Sequence, residues 1–347
     1  MLGSVRTTCH ACLRQSALGL AAFSICTSLY ATVPEDYASG KRAFLAEMVD
    51  RHGFQRESLD RLLAEARYDP DIIAAISRPY EAQPWHRYRQ LFVTEPRIRN
   101  GVDYWAANSD LLARAEAAFG VPSAVIVAII GVESHYGDNL GRHRVIDALT
   151  TLGFAYPPRA GFFRRELEEL LLLTREESIP AATLTGSYAG AVGKPQFIPS
   201  SYRAYAVDFD NDGVRDLWRS DADVIGSVAS YLARHGWQPG APIAIRARVE
   251  STGAQGVEFA GKRPEPPALP LADLRVAGLA WQGSLDERAL ATPMRLDGNE
   301  GDELWLGLRN FYAITRYNHS NLYAMAVFQL AEAIESAVDE PLASGSG

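Results

Sequence analysis

The 347-residue chain has three cysteines, Cys9, Cys12 and Cys26, and none after residue 26. A disulfide framework is therefore excluded from the body of the chain, and a core of adequate size has to hold the fold without one. Cys9-x-x-Cys12 has a redox or zinc spacing, yet a lone pair inside a leader supports neither reading. An excess of positive charge is also missing: 34 Lys and Arg face 42 Asp and Glu, for a net charge of −8. That balance argues against a broad nucleic-acid surface, and no nucleic-acid partner is expected. The run from Ala17 to Ala31 is too short for a comfortable transmembrane span. Neither nucleotide-binding glycine fingerprint occurs, and no serine or cysteine occupies a nucleophile elbow, so His135 and His319 have no triad to complete. Internal repeats and long low-complexity segments are absent.

What is present is ordinary for a soluble globular protein: 47% hydrophobic and 22% charged residues, over a length sufficient for one large or two modest domains. Arg6 and Arg14 flank the start of an apolar, small-residue stretch, so residues 1–31 read as an export signal, the alternative being a disordered cytosolic leader. Cleavage after Ala31 would follow Leu29 and Tyr30, whereas Cys26 as a lipid-attachment site is preceded by the bulky Ile25.

From about Tyr37 to Leu173 apolar residues recur at three- and four-residue spacings, as in Leu59, Leu62, Leu63 and Leu111, Leu112, Ala115. Asn100-Gly101 and Gly120-Val121-Pro122 read as breaks between helices. Further helices are expected over Asp223 to His235, closed by Gly236, and over Asn321 to Ala337. Between Trp237 and Glu303 the texture changes, with alternation in Ile243 to Val249 and Gly/Pro punctuation from Lys262 to Pro270. The expected fold class is α+β and predominantly α. A helical domain spans 32–236 and 304–338, interrupted by a small β-containing subdomain at 237–303, with a flexible tail at 339–347.

Within this frame one stretch stands apart, Val125-Ile126-Val127-Ala128-Ile129-Ile130-Gly131-Val132-Glu133, apolar all round and ending in a carboxylate. Pro122 suits its first turn and Gly137 its stop. Burial disfavours the charged form of Glu133, so its pKa is expected to rise, as a general acid requires. A buried glutamate satisfied by arginine or backbone donors is the structural alternative. Gly186 to Tyr202 is dense in glycine, amides, hydroxyls and aromatics, which suits close approach to a sugar with hydroxyl and acetamido groups; a turn-rich connector would share that composition. Asp208-Phe209-Asp210-Asn211-Asp212-Gly213-Val214-Arg215-Asp216 matches the first nine positions of a calcium loop: Asp208, Asp210 and Asp212 as carboxylate ligands, the Val214 carbonyl next, and Asp216 completing the run. Position twelve is Arg219 instead of glutamate, leaving Asp216, water, Asp221 or Asp223 to complete the shell; a metal-free acidic turn is the alternative. Tyr317 and Asn318, just before a helix, suit either a cleft or a helix cap.

Together, Gly131-Val132-Glu133-Ser134, the Gly186-to-Tyr202 segment, the Asp208 loop with Leu217-Trp218, and Tyr317-Asn318-His319-Ser320 resemble the membrane-bound lytic transglycosylase B family, glycoside hydrolase family 103. The resemblance covers about Tyr80 to Ala337. It implies a lysozyme-like helical domain that cleaves the MurNAc-β-1,4-GlcNAc bond of peptidoglycan, with Glu133 as single acid/base and 1,6-anhydro ends as product. It also implies cleft roles for Ser187, Gln196, Tyr317 and Asn318, and for Tyr88, Arg159, Phe197, Tyr231 and Tyr323. Phe162, Pro158 and Lys194-Pro195 stand where the family's best-known member has tyrosine, arginine and Tyr-Gly. No catalytic cofactor is expected, any calcium being structural. The expected setting is a periplasmic monomer acting on glycan strands, with other cell-wall enzymes as candidate partners. A one-carboxylate lysozyme-type hydrolase and a non-catalytic wall-binding protein are the competing readings.

Overall fold

Apolar spacings of three and four residues emerge as helices throughout the first half of the computed structural model, which describes residues 34–78, 83–250, 253–254 and 256–339. The 1–31 signal with its cysteines, and residues 340–347 of the tail, lie outside these. The helices α1 (Glu35–His52), α2 (Arg56–Glu65) and α3 (Pro70–Ile76) are followed by α4 (Trp85–Phe92), α5 (Glu95–Ala107) and α6 (Ser109–Phe119). Then come α7 (Ser123–Ser134), β1 (His143–Arg144), α8 (Val145–Ala155), α9 (Ala160–Glu176), β2 (Thr185–Gly186), α10 (Pro199–Tyr205) and α11 (Asp221–Arg234). Side-chain caps start three of them: Asp69 accepts from Asp71 N, Thr94 from Arg97 N and Ser220 from Asp223 N.

The β-containing insertion comprises β3 (Ala244–Val249), β4 (Leu269–Pro270), α12 (Leu271–Val276), β5 (Leu279–Trp281), β6 (Leu290–Gly298) and β7 (Gly301–Gly307). Its antiparallel sheet has the order β4-β6-β7-β3-β5 and a small core of its own around Leu271, Leu274, Leu279, Trp281 and Leu306. The boundary at residue 303 is corrected here. β7 continues to Gly307 because Ala244 pairs with Gly307 and Ile245 with Leu306, so the strand ends where its partner β3 begins. Asn310, fully buried, clamps the insertion's stem by accepting from Gln238 N and donating to the Gln238 and Ala241 carbonyls. The chain closes with α13 (Arg309–Thr315) and α14 (Asn321–Asp339).

α7 and α14 pack against each other at the centre of the main core. Among the described residues no single helix is long and apolar enough to cross a membrane.

Asn100-Gly101 does not break a helix, contrary to expectation. Both residues lie inside α5, and Gly101 is there for close packing: a Cβ at this position would meet Tyr136 Oη and Ile334 Cδ1 at 2.6 Å each. Gly101→Ala should therefore lower stability by about 1–3 kcal/mol through overpacking, despite alanine's better helix propensity. A urea melt checks this, since a neutral or stabilised variant would mean that α5 can shift to make room.

Candidate active site

Every residue of α7 is buried except Glu133, which is half-buried at the helix's C-terminal end. A helix this apolar has to be enclosed, so its one charged side chain emerges where the enclosure opens, while the neighbouring Ser134 stays buried by donating to Ile130 O. The helix ends at Ser134, next to Glu133 as expected, and the residues before Gly137 stop it. His135 and Tyr136 take left-handed backbone angles, φ 53° and 62°, and their N–H groups bond back to Gly131 O and Ile130 O. Such conformations cost roughly 1–2 kcal/mol per non-glycine residue, and tertiary contacts offset that. Asn100 Nδ2 lies 3.0 Å from His135 Nε2, Tyr136 Oη donates to Arg97 O at 2.8 Å, and the Tyr136 ring stacks on Tyr104.

Beneath Glu133, Tyr323 of α14 donates its hydroxyl to Glu133 Oε1 at 2.5 Å. A phenol from a distant helix is thus a partner of Glu133, a donor that the sequence reading had not named. Burial first, then the Glu133 charge, pushes the Tyr323 phenol well above its ordinary range, and the same two causes act on Tyr317. Both stay protonated, so Tyr323 is a permanent donor. The Tyr317 ring lies nearly parallel to Tyr323, with its hydroxyl donating to Pro195 O at 2.7 Å.

Glu133 opens into a cleft of about 960 Å³. Arg159, Ser187, Gln196, Phe197, Tyr231, Tyr317 and Asn318, all anticipated from sequence, share its walls. Tyr323 and Tyr88 are each 2% exposed and lie beneath the lining residues, not among them: Tyr323 holds Glu133, and Tyr88, close enough to Tyr323 to act on its charge, packs on Phe92. The Gly186–Tyr202 segment is a hydrogen-bonded frame more than a loose connector. Ser187 Oγ accepts from Ala189 N and Ala191 N, and Val192 and Phe197 exchange backbone bonds around a tight turn. Gln196, at φ 49°, donates its amide to Gly193 O at 2.8 Å and Leu140 O at 3.4 Å, which leaves its side-chain oxygen to accept a ligand N–H. Phe197, Tyr231 and Tyr317 make a continuous aromatic face, with ring centroids 4.7–5.7 Å apart. Ser320 Oγ caps α14, accepting from Tyr323 N.

The acidic loop lies apart from the cleft lining. Asp208, Asp210 and Asp212 each bring a carboxylate oxygen within 4.8 Å of the others, a donor set that suits a hard divalent cation. Val214 follows on the exposed side. Asp216 does not join the cluster, a correction to the ligand set: its Oδ1 is taken by the N–H groups of Trp218 and Arg219. Asp223, 1% exposed, anchors the loop from below by accepting from Phe209 N and Asp216 N, and Asp221 is held by Lys194 and Tyr104.

Comparison with known proteins matches residues 36–332 to the transglycosylase SLT domain family. The chain belongs to this family. It is 42% identical over 313 residues to the membrane-bound lytic murein transglycosylase B of Escherichia coli (strain K12), covering 86% of this chain and 84% of that protein. Among solved structures, the soluble lytic transglycosylase SltB1 of Pseudomonas aeruginosa is 48% identical, with a TM-score of 0.80 over 86% of this chain and 99% of that one. The Escherichia coli lytic transglycosylase Slt35 in complex with calcium is 42% identical, with a TM-score of 0.79 over 86% and 93%. SltB3 of Pseudomonas aeruginosa in complex with NAG-anhNAM-pentapeptide is 31% identical, with a TM-score of 0.76 over 87% and 80%.

This SLT-domain chain also lines its cleft with residues that sequence reasoning passed over, among them Phe163, Tyr205, His235 and Arg316. The signal for His235 was present, because it sits four residues after Tyr231 on α11 and therefore on the same face. Its ring stacks on Tyr231 at 4.0 Å and its Nδ1–H donates to Tyr231 O at 2.7 Å. Burial, the largest cause, and nearby Arg316 lower the His235 pKa below its ordinary 6.5. The unfolded chain therefore takes up this proton first on acidification. Stability is expected to fall as pH drops below about 6.5, and His235→Gln should make that slope shallower. Melting temperatures at pH 8, 6.5 and 5 for both proteins test the sign, and identical slopes would remove His235 as a contributor.

Proposed function

We propose that this protein is a peptidoglycan lytic transglycosylase in which Glu133 serves as the single acid and base. The observation that carries the reading is that Glu133 is the one carboxylate among the described residues lining the cleft. A two-carboxylate glycosidase would need a second acid across the scissile bond, and Ser187, Gln196, Tyr317 and Asn318 stand in its place.

With Oε1 engaged by Tyr323, Oε2 delivers the proton to the glycosidic oxygen, and the GlcNAc leaves with a free 4-hydroxyl. Positive charge at the MurNAc anomeric carbon is met by the substrate's own acetamido oxygen. Gln196, accepting the acetamido N–H, holds that group in line. The Tyr323 hydroxyl stabilises the carboxylate left on Glu133, in keeping with a donor fixed in advance of the charge it meets. That carboxylate then takes the proton of the MurNAc 6-hydroxyl, whose oxygen bonds to the anomeric carbon. The products are a 1,6-anhydroMurNAc end and a GlcNAc 4-hydroxyl, and Glu133 is protonated again. Ring stacking on the Phe197–Tyr231–Tyr317 face supplies sequence-independent grip on successive sugars. The apolar stretch of residues 1–31, read as an export signal, and the membrane-bound lytic murein transglycosylase B relative support action on glycan strands in the periplasm.

Glu133→Gln keeps shape but removes the transferable proton. Muropeptide release from purified sacculi should fall by at least about a hundredfold, with sacculus binding retained. Mass analysis of the wild-type products should show anhydro ends. Reducing ends would indicate a hydrolase, and undiminished release by Glu133→Gln would overturn the assignment.

The Asp208, Asp210 and Asp212 carboxylates, with the Val214 carbonyl, would hold calcium as a structural ion, and the calcium complex of Slt35 supports this. When bound, the ion would offset the repulsion among three clustered carboxylates and tie the loop together; the residues in the cleft do the chemistry. Chelator should lower the melting temperature, because a cation that binds only the folded loop stabilises it by mass action, about 2.7 kcal/mol at a hundredfold excess over Kd. Asp210→Ala should abolish that response while activity at low temperature persists. A chelator-insensitive melt together with no calorimetric calcium heat would leave the loop as an acidic turn.

A further inference from the structure

Two turns flank the catalytic centre: His135-Tyr136-Gly137, which follows Glu133, and Gly193-Lys194-Pro195-Gln196, which presents Gln196 and offers Pro195 O to Tyr317. Lys194 touches both. Its stem runs along Gly137, where a Cβ would stand 3.0 Å from Lys194 Cε, and its Nζ reaches Asp221 Oδ1 at 2.6 Å. The same Asp221 oxygen accepts from Tyr104 Oη at 2.9 Å, and Tyr104 stacks on Tyr136. The pair is largely enclosed, the side chains being 16% and 32% exposed, so solvent screens it less than a surface bridge. At the other end, Lys194 N donates to Leu217 O at 2.8 Å, so backbone and side chain hold this residue from two directions.

We infer that Lys194 is a positioning residue for transglycosylation: its ion pair with Asp221 sets the separation between the turn that follows Glu133 and the turn that presents Gln196. The inference rests on Glu133 and Gln196 acting on one sugar, as proposed above. Backbone bonds close each turn on itself, the Val192–Phe197 bridge in one case and the end of α7 in the other, but they do not join the two, and both contain non-glycine residues in the left-handed region, at 135, 136 and 196. Strained turns hold their shape only while their surroundings over-determine it, and Lys194 is the side chain that reaches from one to the other. Loss of the charge should let the Gln196 turn drift relative to Glu133. Misplacement by about 1 Å costs up to roughly a hundredfold in rate.

The test is steady-state turnover of a soluble, uncrosslinked tetrasaccharide muropeptide by wild type, Lys194→Met, Lys194→Arg, Asp221→Asn and Lys194→Met/Asp221→Asn, with thermal melts alongside. Lys194→Met is expected to lower kcat about tenfold or more while KM changes by less than about twofold. Lys194→Arg should recover most of the loss, and the double variant should be no slower than Lys194→Met, since both changes break one interaction. Wild-type kcat in Lys194→Met, a lowered melting temperature with unchanged kcat, or additive losses in the double variant would each overturn the role. If Lys194→Met does not fold, Asp221→Asn alone must lower kcat, and a wild-type rate there overturns the proposal equally. An active Glu133→Gln would sink the catalytic reading, whereas an inactive Glu133→Gln beside a fully active Lys194→Met would sink only the part assigned to Lys194.

Discussion

The structure turns on one constraint: α7 is apolar on every side and has to be enclosed, yet it ends in a carboxylate that has to reach substrate. Enclosure is supplied chiefly by α14 and α5, and the opening occurs only at the last turn. α14 resolves the conflict by placing Tyr323 against Glu133, so that one oxygen of the carboxylate is hydrogen-bonded within the protein while the side chain stays half-exposed to the cleft. A fully buried carboxylate without such a donor would be costly, and a fully solvated one would be poorly oriented.

Much of the cleft's order follows from satisfying backbone and side-chain polar groups away from water. Ser187, Gln196, Tyr231 and Tyr317 all commit hydrogen bonds to the frame: Ser187 accepts from two alanine N–H groups, Gln196 donates to the Gly193 and Leu140 carbonyls, and Tyr231 and Tyr317 donate to the Arg316 and Pro195 carbonyls. Those bonds fix rotamers before a sugar arrives and reduce the entropy lost on binding. The acidic loop uses the same device. Buried Asp223 anchors two of its backbone N–H groups, and Arg215 is paired with Glu177 of the segment after α9, so the loop is tied to the helical body on two sides.

Helix existence, the apolar stretch leading to Glu133, the calcium-loop spacing and the change of texture after Trp237 were all legible in the sequence, because each depends on residues close together along the chain. The membership of Ser187, Gln196, Phe197, Tyr231, Tyr317 and Asn318 in one cleft came from resemblance, since residues 187 and 317 have no local pattern in common. Two local readings failed for the same reason. Asn100-Gly101 carries a turn signature, but Gly101 serves the approach of Tyr136 and Ile334. Asp216 fits the ninth loop position, but the start of the next turn claims its carboxylate. Tyr88 and Tyr323, placed by resemblance, lie just beneath the cleft lining, each 2% exposed.

Composition and short-range periodicity alone thus determined that this is a helix-rich α+β protein, with an enclosed helix delivering Glu133 and three aspartates spaced to converge. Only the tertiary structure decided that Tyr323, 190 residues away along the chain, would donate to that glutamate, that His135 and Tyr136 would end its helix, and that Lys194 would pair with Asp221. Hydrophobic periodicity specifies which face of an element is buried, but not what it is buried against. Hydrogen bonds and ion pairs within a cleft depend on separations of a fraction of an ångström, and those exist only once the helices have packed.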